Sequence, residues 1–139
     1  RGLELWRALP GASSLPIGAG CTTAGALPTL TSSLPLLGKS FTMRGRAATA
    51  PRVGLLELSP PPSSSFAFLR DCRLHVDLGA LFFIHPFAVT KPDWSVSWTT
   101  PSNPALVGAR MHAQTFFIGA QFPLDLEATN GLALRVDQR

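Results

Sequence analysis

The sequence predicts an all-β protein, a two-layer antiparallel β-sandwich of about seven or eight strands with an N-terminal arm. Thirteen prolines and twelve glycines punctuate the 139 residues, which excludes long helices. From Cys21 onward, apolar and polar residues alternate with a period of two, and turn-forming residues recur about every ten positions. These patterns leave open whether the strand order is Ig-like or jelly-roll-like.

The chain is long enough for one domain, which we place at residues 21–139. Residues 1–20 form a separate arm or linker, because LELWRAL fits no long amphipathic helix and PGASSLPIGAG has linker composition. Two interpretations of this arm remain open. It lies on its own domain, or it adds to the sheet edge of a neighbouring molecule.

Eight segments of the domain have the composition and alternation of strands. They are 27–33, 40–46, 52–58, 72–78, 81–84, 94–100, 109–119 and 132–137. In the second of them, Phe41 and Met43 face one way while Thr42 and Arg44 face the other. The fourth places Leu74 opposite to Arg73, His75 and Asp77, and the last repeats the scheme with Leu132, Leu134 and Val136. One apolar and one polar face per strand indicates two packed layers.

Three connections are predicted between these strands. Residues 59–69, SPPPSSSFAFL, read as a long surface loop with Phe66 and Phe68 anchoring its exit. HPFAVTKPDW at 85–94 is typical of an elbow between two sheets. SNPALVG at 102–108 predicts one helical turn, in which Pro104 holds Asn103 extended and Gly108 releases the chain into the next strand.

Composition narrows the partners and the compartment. Only 14% of residues are charged, against about 25% in typical soluble domains, and the net charge of +4 is scattered. We therefore expect no nucleic-acid partner, because such sites need clustered cations. The longest apolar run, ALFFI, is far shorter than the ~20 residues of a membrane span, and 1–11 lack a signal-peptide core. If the protein is exported, we expect its leader to have been removed.

Cys21 and Cys72 are far apart, and neither belongs to a CxxC pair. This spacing leaves two alternatives, a disulfide or two buried free thiols. The scarcity of Lys and Glu and the abundance of Ser, Thr, Gly and Pro favour the disulfide and an oxidising compartment.

The candidate chemistry is sparse, because no catalytic motif occurs and only His75, His85 and His112 could serve a histidine-dependent enzyme. Arg73, His75 and Asp77 share one strand face, as do Arg110, His112 and Gln114, and an ordinary solvent-facing strand accounts for both triplets. His85 is expected in a loop. A Ca²⁺ site at Asp71, His75 and Asp77 is the weaker alternative. We expect no cofactor, no metal and no catalysis.

Trp94 and Trp98 lie on one face of the same predicted strand, with Val96 between them. If this face is exposed, the two rings could stack a sugar or contact a protein, with His112 and Arg110 as further contacts. The apolar Val96 favours the other interpretation, in which the face belongs to the core and Ser95, Ser97 and Thr99 face solvent.

GAGC at 18–21, DCRLHVDLG at 71–79, SNPALVGARMHAQTFF at 102–117 and NGLALRV at 130–136 occur in an order that resembles a known family. It is a β-rich domain common at the C-termini of predicted secreted proteins of planctomycete-like and myxobacteria-like bacteria, and its function is unassigned. The resemblance covers about residues 18–137 and implies export, a Cys21–Cys72 disulfide and an all-β sandwich. The chain departs from the family at SPPPSSSFAF and at several arginines.

These observations together predict a non-catalytic extracellular structural or interaction module, a self-assembling subunit or a binder of a protein partner. A carbohydrate-binding module that uses exposed tryptophans is the alternative, and a small secreted hydrolase is the weakest candidate. The expected location is extracellular or at the cell surface, with the periplasm as a variant.

Overall fold

A computed structural model of the chain describes residues 11–23, 25–48, 52–63, 66–69 and 72–139. Within them lie eleven strands: β1 (Ser13–Ile17), β2 (Thr29–Ser32), β3 (Ser40–Arg46), β4 (Arg52–Ser59), β5 (Phe66–Leu69), β6 (Cys72–Leu74), β7 (Phe83–Val89), β8 (Asp93–Thr99), β9 (Arg110–Ile118), β10 (Glu127–Ala128) and β11 (Gly131–Arg135). Two short 3₁₀ turns, Leu78–Ala80 and Pro104–Leu106, complete the regular structure. The prediction of an all-β antiparallel sandwich is confirmed.

The strands form two packed sheets and one separate hairpin. The large sheet has the order β1-β11-β9-β4-β7, with the short β10 also paired to β9. The small sheet has the order β2-β3-β8, and β5 and β6 pair only with each other. All of these strand pairs are antiparallel. The chain therefore passes between the two sheets after β1, after β3, after β7 and after β8.

The main core fills the space between the two sheets. Phe41 and Met43 of the small sheet are buried, as the alternation predicts, and Leu132 and Leu134 of the large sheet oppose them. Burying such apolar side chains contributes about 1.5–3 kcal/mol each relative to full exposure. The remaining buried members of this cluster are Leu30, Leu56, Leu58 and Ala113.

A third, partial layer covers the outer face of the large sheet, which the two-layer prediction did not include. The β5–β6 hairpin lies there, and the Gln114 side chain of β9 links to it: its Nε2 donates to the Arg73 carbonyl (2.9 Å), and its Oε1 accepts from the His75 amide (2.8 Å). A second cluster of buried apolar residues sits under this layer. It comprises Cys21, Cys72, Leu74, Val76, Phe116, Leu126 and Ala128.

The predicted disulfide is present in this layer. Cys21 and Cys72 are bonded, with their Cα atoms 5.1 Å apart, and both are buried. Because Cys21 also forms a backbone bridge with Ala128 beside β9, the disulfide ties the start of β6 to the large sheet.

The expected linker conformation of residues 11–20 is wrong for Ser13–Ile17. This segment is β1, an edge strand that pairs with β11 from Ser13↔Arg135 to Ile17↔Gly131. Its serines and proline hide the strand because backbone hydrogen bonding, rather than side-chain burial, holds it. Residues 1–10 of the predicted arm lie outside the described residues.

Other boundaries differ as well. The 59–69 loop contains β5, so two extended segments flank a shorter loop than predicted. β6 ends at Leu74 rather than at residue 78, and Leu78 is exposed rather than inward-facing. β7 is longer than the predicted 81–84 and includes His85, which was expected in a loop.

One predicted connection, 102–108, is confirmed, and the expected elbow at 85–94 is confirmed only at 90–92, because its other residues belong to β7 and β8. Residues 90–92 carry the chain from β7 of the large sheet to β8 of the small sheet, as an elbow between sheets should. In 102–108, Asn103 is extended (φ −65°, ψ 117°), its side chain accepts from the Ala105 amide, and the 3₁₀ turn Pro104–Leu106 follows. Gly108 has φ 82°, a conformation that favours glycine, at the entry to β9.

Candidate functional site

The tryptophans of β8 point into the sandwich. Trp98 packs edge-on against Phe41, with ring centroids 5.2 Å apart, and Trp94 packs against Phe87 at 4.8 Å. Ser95, Ser97 and Thr99 face solvent on the opposite side of the strand. These contacts fit the interpretation in which the Trp94 and Trp98 face of the strand belongs to the core. The solvent-facing side of β8 therefore carries no tryptophan platform for stacking a sugar.

These rings are nevertheless only half buried, because one side of the sandwich is not closed. Six of the seven inward-facing side chains of edge strands β7 and β8 are partly exposed, and the seventh, Val89, is buried; the six are Phe83, His85, Phe87, Trp94, Val96 and Trp98. We call this region the open side. It contrasts with the β1–β2 side, where the Ser14 and Ser32 hydroxyls share a 2.6 Å hydrogen bond and Leu30 is fully buried.

His85 belongs to the open side. Its ring lies between those of Phe83 and Phe87, at centroid distances of 6.2 and 6.1 Å and nearly parallel to both. No sequence pattern predicts this placement, because Pro86 indicates a loop at His85. Within the described residues no hydrogen bond joins His85 to a carboxylate or hydroxyl, so it offers an aromatic surface rather than an acid–base pair.

A cavity of about 380 Å³ opens at one end of the sandwich and adjoins the open side at Phe83 and Trp98. Its lining is almost wholly apolar and includes Phe41, Phe82, Leu106, Met111 and Leu134. Phe82 stands at its rim and is 58% exposed. The cavity has the size of a small-molecule site, but no charged side chain lines it, so it suits an apolar side chain or another uncharged group.

His75 is buried rather than solvent-facing, which corrects the prediction for the Arg73, His75 and Asp77 face. It is only 2% exposed, because its ring lies against the backbone of Gly18 and Gly131, where no Cβ could be accommodated. Burial, and then the positive charges of Arg73 and His112, lower the pKa of His75. Neither ring nitrogen has a hydrogen-bond partner in the described part of the chain.

Arg73 and Asp77 remain exposed, as predicted, and do not contact the His75 ring through hydrogen bonds that the structure shows. The Asp77 carboxylate accepts instead from the Gly79 amide (3.0 Å) and begins the 3₁₀ turn. Arg73, His75 and Asp77 therefore lie in one segment but form no hydrogen-bonded acid–base pair.

His112 and Arg110 line a separate depression of about 260 Å³ on the outer face of the large sheet, together with Leu15 and Pro61. The Nδ1 atom of His112 lies 2.9 Å from the His75 carbonyl, and a carbonyl only accepts, so Nδ1 carries the proton. Arg110 is exposed, whereas Gln114, predicted to face solvent with them, is fully buried. These residues are on the opposite face of the large sheet from Trp94 and Trp98.

No group of three or more His, Cys, Asp or Glu side chains that could hold a metal ion occurs in the residues that the structure describes. Of the three residues of the predicted Ca²⁺ site, His75 and Asp77 are among the described residues and Asp71 is not. Among the described residues, no helix is long and apolar enough to cross a membrane.

Glu57 is a buried acid that the sequence analysis missed. It lies on the outer face of β4, between Gln114 of β9 and Ile84 of β7 in the strand registers. It is 8% exposed, and its Oε2 atom has no hydrogen-bond partner among the described residues. Burial raises its pKa to about 7. The signal in the sequence was a lone acid within the apolar run VGLLEL.

Glu57→Gln is expected to stabilise the protein above neutral pH. A carboxyl whose pKa is raised on folding costs stability as pH rises from about 4.5 to about 7, because the unfolded state ionises first. The difference corresponds to about 3 kcal/mol above pH 7. Urea unfolding of wild type and variant at pH 4 and pH 8 should show the gain only at pH 8. Asp93→Asn, which changes an exposed acid, should change the free energy of unfolding by less than about 1 kcal/mol at either pH.

Comparison with known proteins gives no match for this chain, neither a family model nor a significantly similar curated protein. The resemblance described from the sequence motifs therefore remains a prediction.

Proposed function

We propose that the chain is a non-catalytic interaction module that binds a protein partner at the open side. The observation that carries this proposal is the contrast between the two sides of one sandwich. Six inward-facing side chains of β7 and β8 stay partly exposed, four of them Phe or Trp, whereas on the β1–β2 side a Ser14–Ser32 hydrogen bond joins the two sheets and the exposed inward-facing residue is Pro16. Aromatic residues that are left partly uncovered are typical of the centres of protein interfaces.

The adjoining cavity supports the same function. It offers an uncharged pocket beside Phe83 and Trp98, in which an apolar side chain of the partner would be removed from water. The disulfide supports a site of action in an oxidising compartment, outside the cell or at its surface. Carbohydrate binding receives less support, because both tryptophan rings pack against phenylalanines.

A displayed library of random decapeptides, selected on the immobilised protein, tests this function. We expect enrichment of peptides with several apolar residues, and about a tenfold or greater loss of their affinity in His85→Glu, which places a charge within the open side. Ala88→Glu is the matched control, since Ala88 is exposed on the same strand but faces away from β8.

The proposal is contradicted if no peptide is enriched, or if the enriched peptides bind His85→Glu as tightly as wild type. Thermal unfolding of both variants verifies that each remains folded, so that a loss of binding reports on the surface.

A further inference from the structure

The free edge of β8 carries unpaired backbone groups. The Ala47 amide donates to the Pro92 carbonyl (2.8 Å), and the Thr100 amide donates to the Lys39 carbonyl (2.9 Å), so Pro92 and Thr100 bond toward β3. Hydrogen-bonded pairs alternate along an antiparallel ladder, so Trp94, Val96 and Trp98 also bond to β3. The N–H and C=O groups of Asp93, Ser95, Ser97 and Thr99 consequently point away from the sheet.

The two edges of the large sheet are protected against pairing. The Val136 amide donates to the Ala109 carbonyl (2.9 Å). Because hydrogen-bonded pairs alternate along each ladder, this bond and the registers of β11, β9 and β4 show which residues of β1 and β7 direct their backbone groups away from the sheet. At Pro16 of β1 and Pro86 of β7, the backbone nitrogen points away from the sheet, toward its free edge. Each removes an N–H donor from the middle of its free edge, a common protection of edge strands.

The other edge of the small sheet is covered by a side chain. The Asn130 Oδ1 atom accepts from the Leu30 amide (2.9 Å), and the Asn130 Nδ2 atom donates to the Leu30 carbonyl (3.1 Å). An amide side chain thus replaces a neighbouring strand at the centre of β2. Among the edge strands of the two described sheets, β8 alone has neither a proline nor such a cover.

The outer face of β8 is also permissive for a neighbour. Ser95 and Ser97 carry short side chains, and the seven residues of β8 pair with β3 without a register shift. An added strand would extend the small sheet past β8 and bring its inward side chains beside Phe83, His85 and Phe87. The backbone edge and the half-exposed rings therefore favour one kind of occupant, an extended segment with apolar residues at alternate positions.

We infer that the β8 edge receives, as an added strand, residues 1–10 of a second copy of this chain. These residues lie outside the described part of the structure, and their sequence, RGLELWRALP, places Leu3 and Leu5 on one face of a strand and Glu4 and Trp6 on the other. The inference rests on the proposed function, because it names the partner of the open side.

The donor must be another molecule. Gly11 adjoins β1, at the opposite edge of the large sheet from β7, which is four strand spacings or about 19 Å away. Ten extended residues span at most about 35 Å, and pairing along the seven residues of β8 would leave about 10 Å to bridge that gap. Donation between copies joins two different surfaces, so it extends head to tail into a chain of subunits.

Two variants of the full chain separate the donor from the acceptor. Leu3→Glu with Leu5→Glu alters the donor, and Ser97→Pro removes an outward-facing amide of the acceptor without removing a bond to β3. Ser97→Ala is the matched control, because it also loses the 2.8 Å hydrogen bond between the Ser97 and Thr42 hydroxyls but keeps the amide.

Sedimentation velocity over a concentration series is the measurement. We expect wild type and Ser97→Ala to form progressively larger species, and each altered chain alone to remain a monomer. A mixture of the two altered chains should stop at a heterodimer, since it contains one intact donor and one intact acceptor. A labelled peptide of residues 1–10 should bind wild type at least about tenfold more tightly than Ser97→Pro.

The inference is overturned if wild type stays monomeric and the 1–10 peptide does not bind, or if Ser97→Pro assembles like Ser97→Ala. In either case, selected peptides that bind wild type and not His85→Glu would leave the proposed function standing with a different partner. If those peptides are missing as well, the proposed function fails together with the inference.

Discussion

Opening the Cys21–Cys72 disulfide is expected to lower the free energy of unfolding by about 4 kcal/mol. The bond closes a loop with a sequence separation of 51, and in the chain-entropy description a loop of this size restricts the unfolded state by roughly that amount. Both cysteines are buried in the cluster under the β5–β6 hairpin, so their loss also weakens the cover of the large sheet. The effect is a large fraction of a typical domain's stability.

Urea unfolding of the oxidised protein, the reduced protein and the Cys21→Ala/Cys72→Ala double variant measures this contribution. The reduced protein and the variant should unfold at similar, lower urea concentrations. Equal midpoints for oxidised and reduced protein would contradict the expectation.

Glu127→Gln is expected to destabilise the protein by about 3 kcal/mol, because it removes one of the two carboxylates next to the nearly buried Arg52 guanidinium and leaves Asp125, 3.9 Å away, as the other. Glu127 is completely buried, and its Oε2 atom lies 3.3 Å from Nη2 of Arg52, whose side chain is 10% exposed. The carboxylate also accepts from the Thr22 hydroxyl (3.1 Å) and the Ala48 amide (3.1 Å). The Thr22 hydroxyl donates to Oε2 and the Ala48 amide to Oε1, and glutamine keeps only one acceptor oxygen, so the variant loses the charge together with one acceptor.

The double variant Arg52→Met/Glu127→Gln supplies the control. Removing both charges avoids a nearly buried arginine that has lost one of its two carboxylates, so the double variant should be more stable than Glu127→Gln alone. If the two losses simply add, the Arg52–Glu127 pair is not the interaction that stabilises this end of β4.

Period-two alternation predicted the strands that are held by the burial of alternate side chains. Phe41, Met43, Leu132 and Leu134 alternate with polar neighbours and are buried where the pattern puts them. Alternation shows that one face of a strand is apolar, but it does not show whether another segment covers the polar face. His75 and Gln114 were therefore assigned to solvent, although the His75 ring packs against Gly18 and Gly131 and the segment that contains Arg73 and His75 covers Gln114.

Strands held mainly by their backbones were missed for a related reason. Ser13–Ile17 has the composition of a linker, yet it pairs through five residues with β11. The candidate site was anticipated only in part. Trp94 and Trp98 were identified, but the open side also depends on which strands lie at the edges, and local patterns carry no information on strand order.

The central claim is that the free edge of β8 pairs with an added strand from a second copy. Residue-resolved amide hydrogen exchange tests it most directly, by comparing wild type at a concentration where it assembles with the Leu3→Glu/Leu5→Glu chain. We expect the outward-facing amides of Ser95 and Ser97 to exchange slowly in the assembled protein and rapidly in the variant, while the Val96 amide is protected in both. Rapid exchange at Ser95 and Ser97 in both proteins would contradict it.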